Sequence, residues 1–201
     1  MSDKVVHVID DDPAMRDSLA FLFDSAGLAV KTYDSAIAFL DRADALEPGC
    51  ILTDVRMPQM SGLELIDRLK ALSVGLPVIV MTGHADVPLA IQAMKAGVID
   101  FIEKPFDDEA LLGAVRAGLA EAEQLGQRDG ELKAARGKIA SLSGREAEVL
   151  EGLVAGKPNK IIAYDLGISP RTVEIYRANL MSKMGAKSLS ELVRMALAAR
   201  G

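Results

Sequence analysis

The chain has 201 residues, half of them hydrophobic, with one cysteine, no tryptophan and a net charge of −6. That length allows two small domains or one larger one. No apolar run approaches the roughly 18 residues of a membrane span, and a lone Cys50 excludes an intrachain disulfide and suits a reducing compartment. Met1-Ser2-Asp3-Lys4 shows no secretory signal, so a cytoplasmic protein is expected. The charge is uneven: residues 1–121 hold 20 Asp/Glu and 10 Lys/Arg, residues 122–137 three of each, and residues 138–201 six and ten. An acidic front and a basic back predict domains at 1–121 and 138–201 with a linker at 122–137, the basic domain facing nucleic acid.

In chain order, Val5 to Ile9 reads as an apolar strand closed by Asp10-Asp11-Asp12. Pro13 suits the first turn of a helix N-capped by Asp12 and stopped at Gly27. Ala29 to Tyr33 is a second strand and Ser35 to Leu40 a short helix. Cys50 to Thr53 is a third strand, running into Asp54-Val55-Arg56-Met57-Pro58, and a helix follows from Gly62 to Leu72. Pro77 to Met81 is a fourth strand ending at Thr82-Gly83, Pro88 to Ala96 a helix, Asp100 to Glu103 a fifth strand, and Asp107 to Leu119 a closing helix. Strands alternating with helices predict an α/β doubly wound parallel sheet, for which we expect the strand order 2-1-3-4-5. His7, between valines, reads as structural.

In that order the ends of the first and third strands meet at the switch point, where such sheets bind ligands. Asp10, Asp11 and Asp54 are therefore expected to crowd together around a hard cation, for which Mg²⁺ is the natural choice. Thr82 offers a hydroxyl and Lys104 a positive charge, both of which a phosphoryl group on a carboxylate needs. Lys104-Pro105 is a candidate cis peptide. Arg56 and His84 flank the site, either tuning a phosphoryl lifetime or standing as solvated loop residues.

Residues 120–140 are rich in helix formers but carry Gly126, Gly130 and Gly137, each costing about 1 kcal/mol in a helix. A partly helical tether is expected, with Leu125, Leu132 and Ile139 on a narrow stripe. Beyond it, Ser143 to Glu146 is a capping box before a helix that buries Ala147, Leu150, Leu153 and Val154. Asn159 is expected to cap a short helix to Leu166. Gly167-Ile168-Ser169 is a turn, Pro170 to Met184 a longer helix, and Ser188 to Glu191 a second capping box. The result is a four-helix, all-α domain with helix-turn-helix spacing. At about 100° per residue, Val173, Tyr176, Leu180 and Met184 face inward. Arg171, Ile175, Ala178 and Ser182 face outward beside Glu174 and Asn179. An exposed Ile175 among small residues fits a helix in the DNA major groove, where it meets a thymine methyl. Lys157, Lys160, Arg177, Lys183 and Lys187 are candidates for phosphate contact, and Arg171 and Thr172 complete the expected DNA-binding set.

The pieces Asp10-Asp11, Asp54, Thr82 and Lys104-Pro105 resemble the receiver domain of two-component response regulators, over roughly residues 4–121. Leu142-Ser143-Gly144-Arg145-Glu146, Pro158-Asn159-Lys160 and Ser169-Pro170-Arg171-Thr172-Val173-Glu174 resemble the LuxR-type output domain of the FixJ-type members. The resemblance implies that a sensor histidine kinase phosphorylates Asp54. It also implies that Asp11, Asp54 and the Arg56 carbonyl hold Mg²⁺, with Asp10 acting through water, and that Thr82 and Phe101 move with the phosphate. Base reading would fall on Glu174, Ile175 and Ala178, and Glu174 departs from the basic residue frequent there. A phosphorylated homodimer through Ile91, Lys95 and Asp100 is expected, acting on double-stranded DNA and on RNA polymerase. The rival readings are an aspartyl-phosphate phosphohydrolase and a DNA-binding protein that does not need phosphorylation.

Overall fold

Five short strands alternate with helices from Val5 to Glu103 in the computed structural model, which describes residues 4–83 and 87–200. The strands are β1 (Val5–Ile9), β2 (Ala29–Tyr33), β3 (Gly49–Asp54), β4 (Val78–Thr82) and β5 (Asp100–Glu103). All pair in parallel, in the order β2-β1-β3-β4-β5. The three central strands are buried almost throughout, as continuous apolar runs in a doubly wound sheet must be. The edge strands β2 and β5 are half-exposed.

Two cores sit on the two faces of this sheet. Leu19 and Phe23 of α1 (Pro13–Ser25) pack with Leu111, Val115 and Leu119 of α5 (Asp108–Ala140) on one. Phe39 of α2 (Ala36–Leu40), Leu65 and Leu69 of α3 (Gly62–Ala71) and Ala93 of α4 (Val87–Lys95) fill the other. Asp12 caps α1 as expected, accepting from the Ala14 amide. His7 is buried and neutral-leaning, since burial lowers its pKa. Its Nε2 lies 3.0 Å from the Glu47 carbonyl, which can only accept, so the proton sits there and Nδ1 faces the Tyr33 hydroxyl at 3.2 Å. Its structural reading holds.

The described residues divide into two compact units, Met1–Gly126 and Gln127–Gly201, and the division falls inside α5. The tether expected to be partly helical is helical throughout: α5 runs unbroken for 33 residues. Three glycines lose to helix propagation, because the residues between them are strong helix formers and no proline interrupts them.

In the second unit α6 (Gly144–Val154), α7 (Asn159–Leu166), α8 (Pro170–Met184) and α9 (Leu189–Ala198) enclose a core of Val149, Leu150, Leu153, Ile162, Val173, Leu180, Met184 and Leu192. Val149 is fully buried, whereas Ala147 and Val154 are only half-buried, which shifts the inner face of α6 from the one expected. Pro158, not Asn159, is the N-cap of α7 and offers no side-chain cap. The Asn159 amide oxygen instead accepts from Arg177 at 3.0 Å. The capping box at Ser143 and Glu146 closes fully. The one at Ser188 is half-made, because the Glu191 carboxylate takes the Lys187 amide instead. Gly167 turns α7 into α8 with φ +64°, a left-handed conformation suited to glycine.

Candidate functional site

Parallel register builds the receiver site. Ile9 pairs with Thr53, so the next residue on each strand, Asp10 and Asp54, emerges side by side at the carboxyl ends. Thr82 ends β4, and the Lys104 amide donates to its carbonyl at 2.7 Å, fixing the loop after β5 beside it. The Lys104-Pro105 peptide is cis. The Lys104 ammonium donates to Asp10 Oδ2 at 2.9 Å and to Asp54 Oδ2 at 2.5 Å. The Arg56 amide donates to the other oxygen, Asp54 Oδ1, at 2.8 Å, and the Asp12 amide to Asp10 Oδ1 at 2.9 Å.

Burial separates the carboxylates. Asp10 is 1% exposed and the Asp54 side chain 13%, while Asp11 is open to solvent. Burial raises the Asp10 pKa, and the hydrogen bond from Lys104 pulls it back only in part. Burial acts to lower the Lys104 pKa, but its bonds to Asp54 and Asp10 outweigh that and raise it. One ammonium thus bridges two carboxylates in a partly buried corner, leaving the trio one negative charge in excess.

Among the described residues no group of three His, Cys, Asp or Glu side chains is gathered closely enough to hold a metal ion. Lys104 bridges Asp10 and Asp54, and Asp11, next in the chain after Asp10, is exposed to solvent. The donors are all oxygen, a set that fits a hard cation. Thr82 is fully buried and Phe101 half-buried. His84 lies outside the described residues.

Sequence reasoning missed Gly62. A Cβ there would stand 2.4 Å from the Asp54 carbonyl oxygen, so only glycine lets α3 start against the site. Ser61 and Glu64 form a capping box at that helix, and this serine-to-glutamate spacing was a legible signal. Ile91 is 50% exposed on α4, and Lys95 and Asp100 are also exposed; Met94, not anticipated, is 54% exposed beside them.

On α8 the expected faces hold. Val173, Leu180 and Met184 are buried and Tyr176 half-buried, while Arg171, Glu174, Ile175, Ala178 and Ser182 are exposed and Thr172 half-exposed. Ser169 caps the helix through the Thr172 amide. Lys160 and Lys187 are exposed, and Lys157 pairs with Asp165 at 2.7 Å. Lys183 and Arg177 are held within the unit, Arg177 by Asn159 and Lys183 by Glu146 at 2.8 Å. Glu146 is 4% exposed; the Lys183 hydrogen bond, then that from the Ser143 amide, holds its carboxyl down to about 2.

A strand-end aspartate bridged to a lysine on a doubly wound sheet, followed in the chain by a helix-turn-helix unit, defines a response regulator. The model of the response regulator receiver domain matches residues 6–116, and that of bacterial regulatory proteins of the luxR family matches residues 140–196. The chain is 61% identical to the transcriptional regulatory protein FixJ of Azorhizobium caulinodans over 194 residues, covering 96% of this chain and 92% of that one. It is 51% identical to FixJ of Rhizobium meliloti, covering 98% and 97%. Among solved structures, the response regulator StyR superposes with a TM-score of 0.80 at 40% identity, covering 97% of this chain and 98% of that one. Full-length FixJ from B. japonicum superposes at 0.61 with 50% identity, covering 100% and 98%. The chain belongs to the response regulators of the FixJ type. It is a phosphorylation-dependent transcription regulator with a receiver and a LuxR-type DNA-binding domain, and its family implies a cognate sensor kinase. No helix among the described residues is long and apolar enough to cross a membrane.

Proposed function

We propose that Asp54 is the phosphoacceptor, and that the observation carrying this reading is the Lys104 ammonium shared between Asp10 and Asp54. An Asp54 carboxylate oxygen attacks the phosphorus of a phosphohistidine on the kinase, forming a P–O bond as the P–N bond breaks. Lys104 is placed to follow a phosphoryl oxygen, because its nitrogen already touches the accepting carboxylate. The Thr82 hydroxyl donates to a second oxygen, and Phe101 turns as Thr82 moves. Receiver domains generally bind Mg²⁺ at the phosphorylation site. Here Asp11, Asp54 and the Arg56 carbonyl would hold it, with Asp10 through water, and the ion would offset charge on the phosphoryl group.

Phosphorylation then favours a homodimer through Ile91, Lys95 and Asp100, which brings two α8 helices to half-sites about 34 Å apart. Ile175, Ala178 and Glu174 read bases, while Lys157, Lys160, Arg171, Thr172 and Lys187 meet phosphates. Arg177 and Lys183 contribute chiefly by holding α8 in place. The dimer acts on RNA polymerase in the cytoplasm, and covalent chemistry is confined to Asp54 itself. The test is incorporation of base-labile phosphate from a small phosphodonor with Mg²⁺: Asp54→Asn should incorporate none. Wild-type incorporation by that variant would move the acceptor elsewhere.

A further inference from the structure

A groove of about 470 Å³ crosses the outer edge of the receiver sheet at the end of β2. Arg16 of α1, Lys31 and Thr32 of β2, Asp34 and Arg42 line it. Because α1 and α2 pack on opposite faces of the sheet, Arg16 and Arg42 reach the groove from either side of the β2 edge. Residues 1–121 carry only 10 Lys/Arg against 20 Asp/Glu, yet three of those ten meet here.

Their partners leave donors to spare. Arg16 gives one N–H to the Asp10 carbonyl at 2.7 Å and keeps most of its five. Lys31 pairs with Glu47 at 2.5 Å, and both side chains stay substantially exposed. The Arg42 guanidinium has no hydrogen bond or ion pair among the described residues. Two guanidinium forks across a groove suit phosphate oxygens, which they bind bidentately. Asp34 repels bare phosphate but accepts from hydroxyls, as it already does from the Ser35 hydroxyl at 3.0 Å, and a carboxylate beside guanidinium groups suits a ligand that carries both hydroxyls and phosphates. The groove has the volume of a small-molecule site.

We propose that this groove binds a nucleoside polyphosphate, with its phosphates on Arg16, Arg42 and Lys31 and its sugar hydroxyls on Asp34. The assignment is independent of the phosphoacceptor reading. It is tested by titrating ADP, pyrophosphate and adenosine calorimetrically into the full-length chain, without DNA and with chelator present. One ADP should bind per chain, more tightly than pyrophosphate, and adenosine should not saturate. Arg42→Ala removes a side chain that makes no hydrogen bond or ion pair among the described residues, so the fold should stand, and it should weaken ADP about tenfold or more. Asp34→Ala should erase the advantage of ADP over pyrophosphate. Arg194→Ala, an exposed residue of the basic domain, should leave ADP affinity unchanged. An ADP affinity unchanged by Arg42→Ala, or lowered as much by Arg194→Ala, overturns the groove. Pyrophosphate binding as tightly as ADP overturns the nucleoside.

Discussion

Lys104 is the residue on which the receiver site balances. Its ammonium is the cation hydrogen-bonded to the Asp10 side chain, which is 1% exposed. Lys104→Met should therefore destabilise the unphosphorylated protein by on the order of 3 kcal/mol, since removing one partner leaves a buried charge uncompensated. Adding Asp10→Asn should return most of that. Urea unfolding of the two variants checks it, and a Lys104→Met protein as stable as wild type would show that Asp10 has another source of compensation. Glu146 is the parallel case in the output domain, with a pH signature. Its carboxyl is lowered from 4.5 to about 2, so its contribution is full above pH 4.5 and fades as pH falls toward 2. Thermal unfolding should thus show Glu146→Gln melting below wild type at neutral pH, with the gap closing across that acid window. A gap that stays constant through the window would disconnect Glu146 from Lys183. In the sequence Lys104 was legible as a positive charge at the carboxylate site, but not as the counter-ion of Asp10, and the Lys183 partner of Glu146 was not legible at all. Glu146 announces itself there as a helix cap, and the partner that buries it lies 37 residues away.

At the scale of elements, what could be read was what repeats locally. The apolar runs of β1, β3 and β4, the Asp12 and Ser143 caps and the inner face of α8 all declare themselves within a few residues. What escaped depends on competition between neighbours or on distant packing. Glycines at 126, 130 and 137 weaken α5 without ending it, and nothing lies within 4 Å of a Cβ built on any of them. Gly126→Ala and Gly130→Ala should each stabilise by about 1 kcal/mol through helix propensity alone, seen as slower amide exchange along α5. Gly62→Ala should do the reverse, costing about 3 kcal/mol as α3 is pushed off the Asp54 backbone. Equal effects at Gly62 and Gly126 would mean that close approach does not govern the start of α3. On α8, Ile175→Ala should lower operator preference by about 1–3 kcal/mol if it covers a thymine methyl. Lys160→Ala should weaken all DNA alike and flatten the salt dependence. Filter binding on operator and random duplexes separates the two, and identical profiles would remove Ile175 from base reading.

For the molecule as a whole, the pattern of charge was legible from composition, and so was the division into an acidic sheet domain and a basic helical one. The groove at the β2 edge was not, because Arg16, Lys31 and Arg42 are scattered singly along the sequence and only the fold assembles them. The environment of Cys50 bears a practical consequence. It is the one cysteine in the chain, it is fully buried on β3, and burial pushes its thiol up to about 12. Against it packs Gly118 of α5, where a Cβ would sit 3.1 Å from the Cys50 Cβ. The thiolate is the reactive species, so the folded protein should be almost silent to a thiol-reactive dye and should label only when β3 and α5 part. Labelling speed then becomes a clock for opening of the receiver core, and Gly118→Ala should make it run faster. It also leaves the surface blank: a cysteine introduced on α4 or α8 would carry a fluorophore alone, with no native thiol to remove first.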